Sequence, residues 1–163
     1  MSQIEYIKGD LFKHVEDTTD KLQIIPHVCN DKGGWGAGFV VALSKWNKKP
    51  EMEYRRISKD PTAQFRLGQN QWVQISNTLY VANMVAQRGY KSLDNKRPLS
   101  YSALIKCMHD VATGIKARRK EIPVEIHAPK FGSALAGGKW EFIEDLIEEI
   151  WEPTGATIYV YEI

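Results

Sequence analysis

Two short stretches of this chain are rich in residues that let a backbone come close to a ligand. The first runs Asn30-Asp31-Lys32-Gly33-Gly34-Trp35-Gly36-Ala37-Gly38, the second Phe131-Gly132-Ser133-Ala134-Leu135-Ala136-Gly137-Gly138. Each follows an apolar run that reads as a buried strand and precedes a segment with helical periodicity. Such a loop presents unpaired backbone N–H groups and the positive end of a helix dipole, which suit an anion such as a diphosphate. Glycine removes the Cβ that would hold the ligand away, and it permits positive φ. The first loop does not close in Gly-Lys-Ser/Thr, so it is not a Walker loop. Phe39 breaks the G-x-G-x-x-G reading of Gly34, Gly36 and Gly38. Glycines that serve only tight strand-to-helix turns would look the same in one loop. Two loops in matched contexts favour ligand binding.

Few side chains near the loops have usable chemistry. His27 has an ordinary pKa near neutrality, which suits a proton donor to a leaving group. In a regular strand His27 and Asn30 would point to opposite faces, so both reach one site only if the strand breaks near Cys29. A structural histidine stays open. Asp10, after Gly9, and Asn30 are also residue types that turns favour in their own right. Cys29 reads as a small buried hydrophobe. Trp35 could contact a ligand or cap helix packing. His14, His109 and His127 receive no role.

The elements that must position these groups are legible from periodicity. Ile4 and Tyr6 with their polar neighbours predict a first strand, stopped at Gly9-Asp10. Gln23 to Cys29 predicts a buried strand. Phe39, Val40, Leu43 and Trp46 share one helical face, and Pro50 opens a further helix through Ile57. Gln71 to Ser76 and Leu79 to Ala86 form a hairpin pattern around Asn77-Thr78. A 3-4 spacing from Tyr101 to Ile115 marks a long helix, Val124 to Ala128 a strand, Trp140 to Trp151 a helical stripe, and Thr157 to Tyr161 a closing strand. Strands and helices mostly alternate, which predicts a mixed sheet of about six strands with helices on both faces, a three-layer α/β/α architecture.

Composition bounds the remaining possibilities. A chain of 163 residues fits one domain over 1–163, and no linker or repeat divides it. A net charge of +2, from 22 basic and 20 acidic side chains, gives no footprint for direct nucleic-acid binding. The densest basic cluster, Lys116 to Lys120 with Arg118 and Arg119, falls at a helix end, where cations meet the negative dipole end. Two separated cysteines, Cys29 and Cys107, make neither a zinc pattern nor a disulfide scaffold, so a cytoplasmic setting and no metal or cofactor are expected. No run approaches the ~20 apolar residues a membrane helix needs, and Met1 to Asp10 lacks the pattern of a signal peptide.

The chain resembles the macro domain family. Tyr6-Ile7-Lys8-Gly9-Asp10-Leu11-Phe12 looks like the family's opening strand and Gly-Asp signature. His27-Val28-Cys29-Asn30 with Gly34 to Gly38 looks like its first ligand loop, and Pro129 to Trp140 like its second. Ile158-Tyr159-Val160-Tyr161 is similar to its last strand. Within the family the likeness is to the subgroup of the fungal ADP-ribose 1″-phosphate phosphatase and the terminal ADP-ribose protein glycohydrolase.

The resemblance implies a site. Asp10, with the Leu11 backbone, would bind adenine, and Tyr161 would lie against it. Asn30 would hold the distal ribose, and Gly34, Trp35, Gly36, Ala37 and Gly38 would wrap that ribose and its 1″ substituent. Gly132, Ser133, Ala134, Leu135, Ala136 and Gly137 would cradle the diphosphate. Asn30 and His27 are the catalytic candidates. The subgroup's glycohydrolases use a lysine where this chain has Ala86-Gln87 and then Arg88, and an aspartate where it has Ala136, which argues against a lysine route. The implied function is binding of ADP-ribose derivatives, with metal-free hydrolysis of ADP-ribose 1″-phosphate by a monomer. The alternatives are a non-catalytic ADP-ribose module, or a hydrolase that frees ADP-ribose from protein or nucleic acid.

Overall fold

Alternating and apolar runs settle into strands that all belong to one sheet. The structure, a computed structural model, describes residues 3–118 and 121–162. Arg119 and Lys120 of the basic cluster therefore lie outside the described residues. The strands are β1 (Ile4–Lys8), β2 (Leu22–Asn30), β3 (Asn70–Gln74), β4 (Leu79–Gln87), β5 (Val124–Pro129) and β6 (Thr157–Glu162). Their order is β1-β6-β5-β2-β4-β3, and every neighbouring pair is parallel except the β3–β4 hairpin. The expected mixed sheet of six strands is present among the described residues.

Helices cover both faces. α1 (Phe39–Trp46) and α2 (Lys49–Lys59) pack Leu43 and Tyr54 against Ile25, Cys29, Val73 and Val81. On the other face, α3 (Tyr101–Arg118) and α4 (Trp140–Leu146) bring Leu104, Met108, Val111 and Ile143 onto Ile24, Met84 and Ile126. Each odd residue of β2 from Ile25 to Cys29 meets the first layer because strand side chains alternate. The stripe expected over Trp140 to Trp151 is not one regular helix: residues Ile147–Trp151 form a π-turn. The wider turn lets the neighbours Ile150 and Trp151 both enter the core, where the Trp151 indole donates to the Met108 carbonyl at 2.9 Å. No helix among the described residues is long and apolar enough to cross a membrane.

The sheet opens at one place. β2 pairs with β5 only over Leu22 to Ile24, although β2 continues along β4 to Asn30 and β5 along β6 to Pro129. Pro26, two residues beyond the last β2–β5 pair, has no N–H to donate. From β2 the chain runs out to the edge strand β3, returns in β4 beside β2, and then crosses by α3 to β5 and β6 on the other side. The gap between β2 and β5 is therefore the point where strand order reverses, and crevices for ligands form there, beyond the carboxyl ends.

Candidate functional site

Both glycine loops leave the carboxyl ends of the two splayed strands and line one cleft. Its larger lobe, about 570 Å³, lies between Ala37-Gly38 and Phe39 on one side and Pro129 to Ala136 on the other, and ends at Tyr161 and Glu162. A second lobe of about 340 Å³ is lined by Asn30, Gly34, Trp35, Gly36, Tyr90 and Lys91. Val28, Ala37, Val40, Gln87 and Leu135 line both lobes, so the two are continuous. Leu135 bridges the mouth: its Cδ1 would stand 3.8 Å from a Cβ on Gly38.

The backbone of this cleft is short of partners. Among the described residues, the N–H groups of Trp35, Gly36, Ala37 and Gly38 donate to nothing, and neither do those of Gly132, Ser133, Ala134 and Leu135. Two runs of donors without a protein partner, on the two loops that line the cleft, are chemically suited to an anion longer than one phosphate. The second loop is held in shape by bonds that leave this run open. Gly138 N–H donates to the Gly132 carbonyl at 2.8 Å, and Leu99 N–H to the Ala136 carbonyl at 3.0 Å. Glycine is required at Gly138, where a Cβ would meet the Gly132 carbonyl oxygen at 2.4 Å. Ala134 adopts φ 54°, a left-handed conformation unusual for alanine, at the centre of this run. Gly137 lies outside the cavity lining, and its N–H is used within the loop, donating to the Ala134 carbonyl at 3.0 Å.

Asn30 organises the first loop. Its Oδ1 accepts from the N–H groups of Lys32 at 2.9 Å and Gly34 at 3.1 Å, and the Tyr54 hydroxyl stands 2.9 Å away. Its Nδ2 donates to the Gly34 carbonyl at 2.8 Å. The side chain expected to hold a substrate is thus largely committed to the loop, with one Nδ2 hydrogen left. A one-residue register shift between Cys29 and Asn30 breaks the β2–β4 ladder, as a common site would require. His27 nevertheless borders the larger lobe rather than Asn30's. It is 2 % exposed, with Nε2 2.5 Å from Asn83 Oδ1 and its ring edge-on to Trp35. Burial pushes its pKa down to about 4, against a smaller opposing effect of the Asn83 bond. His27 is neutral near pH 7 and is set among aromatic rings, poorly suited to giving a proton there.

Trp35 packs and also lines. Its indole donates to Ser44 Oγ at 2.7 Å and its ring tilts on Tyr54, while the residue borders the smaller lobe. Cys29 is buried beside His27, and burial pushes its thiol well up. At the other end, Tyr161 lines the cleft with its hydroxyl turned inward, 2.7 Å from His127 Nδ1. Asp10 and Leu11 sit at the end of β1, one strand beyond Tyr161, and outside the cavity lining. Asp10 is exposed: Oδ1 accepts from Phe12 N–H at 2.9 Å and Oδ2 carries no bond among the described residues. Leu11 is buried in the core layer that also holds Ile25, Cys29 and Tyr161.

Sequence reasoning missed the contribution of the segment between β4 and α3. Its residues carry no glycine-loop pattern and no periodicity, yet Tyr90 and Lys91 line the smaller lobe. The available signal was the length of the gap before Tyr101, which leaves chain enough to fold back over the strand ends.

Comparison with known proteins agrees with this architecture. No family model matches the chain. A protein of unknown function from Bacteroides thetaiotaomicron is 41 % identical, with TM-score 0.87 and 98 % of each chain covered. An ADP-ribose 1″-phosphate phosphatase of Debaryomyces hansenii is 25 % identical over 173 residues, covering 90 % of this chain and 93 % of the relative. A macrodomain protein from Streptomyces coelicolor is 35 % identical, with TM-score 0.79 and coverage of 98 % of this chain and 99 % of its own. With that identity along almost the whole length, a six-stranded mixed sheet and a cleft between two glycine loops, the chain belongs to the macro domain family.

Proposed function

We propose that this macro domain binds ADP-ribose derivatives in the cleft and hydrolyses the phosphomonoester of ADP-ribose 1″-phosphate. The observation that carries the reading is the pair of unpaired N–H runs, Trp35 to Gly38 and Gly132 to Leu135, on opposite walls of one crevice. A diphosphate between them would leave adenine toward Tyr161 and Asp10, and the distal ribose toward Asn30 and Gly34. The resemblance to fungal ADP-ribose 1″-phosphate phosphatases over 90 % of the chain supports the same substrate.

In this reading water attacks phosphorus, the bond from phosphorus to the ribose 1″ oxygen breaks, and the proton from water ends on that oxygen. The products are ADP-ribose and inorganic phosphate. Backbone donors aimed at the phosphoryl oxygens would stabilise the charge that develops. Asn30 would act by shaping the loop and through its remaining Nδ2 hydrogen. His27, buried and neutral, would support Asn83 and Trp35 without transferring a proton.

A second reading, a module that binds ADP-ribose without turnover, is favoured by one observation: no carboxylate or imidazole lines the smaller lobe among the described residues. One experiment separates the two. Calorimetry with ADP-ribose and AMP is run beside phosphate release from ADP-ribose 1″-phosphate. Tighter binding of ADP-ribose with phosphate release supports the phosphatase. Binding without release supports the module, and a folded sample that binds neither nucleotide removes both.

A further inference from the structure

Beyond the two glycine loops, the smaller lobe has a third wall that neither sequence pattern nor resemblance assigns. It is the segment after β4, and it is firmly placed. Gly89 N–H donates to Asp31 Oδ1 at 2.8 Å, tying the segment to the first glycine loop. Arg88 N–H donates to the Pro98 carbonyl at 2.8 Å, and Asn95 Nδ2 donates to the carbonyls of Arg88 at 2.7 Å and Tyr90 at 3.0 Å. These bonds hold Tyr90 against Gly34 so closely that a Cβ on Gly34 would lie 2.1 Å from the Tyr90 hydroxyl. The next residue, Lys91, carries the one charged side chain lining this lobe among the described residues. Neither the Tyr90 hydroxyl nor the Lys91 ammonium has a hydrogen bond or ion pair there.

Unspent donors of this kind, beside free loop N–H groups in a lobe lined by no carboxylate among the described residues, suit one chemistry. A phosphomonoester dianion offers three oxygens for an ammonium, a phenolic O–H and backbone N–H groups at once. A neutral ester or amide has no charge to satisfy the ammonium. We propose that Tyr90 and Lys91 form a phosphate subsite that selects a phosphoryl group as the substituent on the distal ribose. The proposal rests on the reading that the cleft takes ADP-ribose. Both residues are positioning residues for the phosphoryl oxygens, and the subsite would hold inorganic phosphate as a product beside bound ADP-ribose.

The test titrates inorganic phosphate into protein saturated with ADP-ribose, so that its readout does not depend on turnover. Parent protein is compared with Lys91→Met, Tyr90→Phe and Lys96→Met. The last makes the same charge change in the same segment, outside the cavity lining. The expected result is that Lys91→Met weakens phosphate binding on the order of tenfold, as loss of a hydrogen bond to a charged group does. Tyr90→Phe weakens it less, Lys96→Met matches the parent, and all the variants still bind ADP-ribose. The kcat/KM for ADP-ribose 1″-phosphate falls in the same order. If the parent binds ADP-ribose but phosphate adds no heat, or if Lys91→Met binds phosphate as the parent does, the subsite is refuted while the ADP-ribose reading stands. If the parent does not bind ADP-ribose, both fall. Trapping of an ADP-ribose adduct on Lys91 by cyanoborohydride would also overturn the subsite, since the lysine would then be an amine nucleophile.

Discussion

Lowering the pH should unfold this protein partly through His27. The free imidazole titrates at 6.5, whereas burial holds the folded-state value at about 4. Between those values the unfolded chain binds a proton that the native chain does not, so stability falls as pH falls. The contribution is fully present above 6.5 and lost as the pH drops through that window to about 4. One pKa unit is worth about 1.4 kcal/mol, so the whole window is worth on the order of 3 kcal/mol. Between about pH 7.5 and about pH 5 the same linkage gives about 2 kcal/mol. His27→Gln removes the titration while leaving an amide N–H to donate to Asn83 Oδ1. Urea unfolding of both proteins at the two pH values isolates the effect. His127, whose pKa burial also lowers, and the carboxylates are common to both and cancel. The parent should lose about 2 kcal/mol more than the variant on acidification. Equal losses would refute the reasoning, because the ring would then be protonated as easily in the folded state as in the unfolded one. That result would restore His27 as a proton donor. The companion expectation is that His27→Gln turns over ADP-ribose 1″-phosphate as the parent does.

The other predictions address the loops and the adenine end. Asn30→Ala leaves the N–H groups of Lys32 and Gly34 without their acceptor, and should destabilise the protein by roughly 2 kcal/mol while lowering kcat. Unchanged urea midpoint and kcat would show that the loop forms without it. Gly34→Ala and Gly138→Ala should part company. The first meets only the end of the exposed Tyr90 side chain, and the second meets backbone at 2.4 Å. Thermal melts should show a small loss for Gly34→Ala and a loss of more than about 3 kcal/mol for Gly138→Ala, and comparable melts would contradict the packing argument. Asp10→Ala should weaken ADP-ribose binding by about tenfold through the loss of a charged acceptor. Calorimetry giving the parent affinity would leave Asp10 as only the cap of the turn at Leu11–Lys13.

Much of this was legible in the residues because local rules governed it. Apolar alternation and 3-4 spacing located the strands and helices, and the matched settings of Gly34 to Gly38 and Gly132 to Gly137 located both loops of the cleft. What stayed hidden depends on contacts distant in sequence. The commitment of Asn30 to its loop involves Tyr54 on α2, and the neutrality of His27 comes from burial beneath Trp35 and Phe39, against a smaller opposing effect of Asn83. No pattern in β2 reports what will cover it. The π-turn was hidden because adjacent apolar pairs fit a regular stripe nearly as well. Tyr90 and Lys91 were hidden because an irregular segment has no period to read.

The parallel pairing of β1 with β6 joins the two ends of the described chain, from Ile4 with Ile158 to Lys8 with Glu162. The β3–β4 hairpin, by contrast, closes over a few residues. Loop-closure entropy separates these events in time, since a contact between distant residues is favoured only once most of the intervening chain is already compact. The hairpin can form early and β1 docks late. Gly9, which bonds to Glu162, and Asp10 beside it arrive with that strand. The corner at Gly9 and Asp10, beside the Tyr161 end of the cleft, is thus expected to assemble last during folding, after both glycine loops are in place.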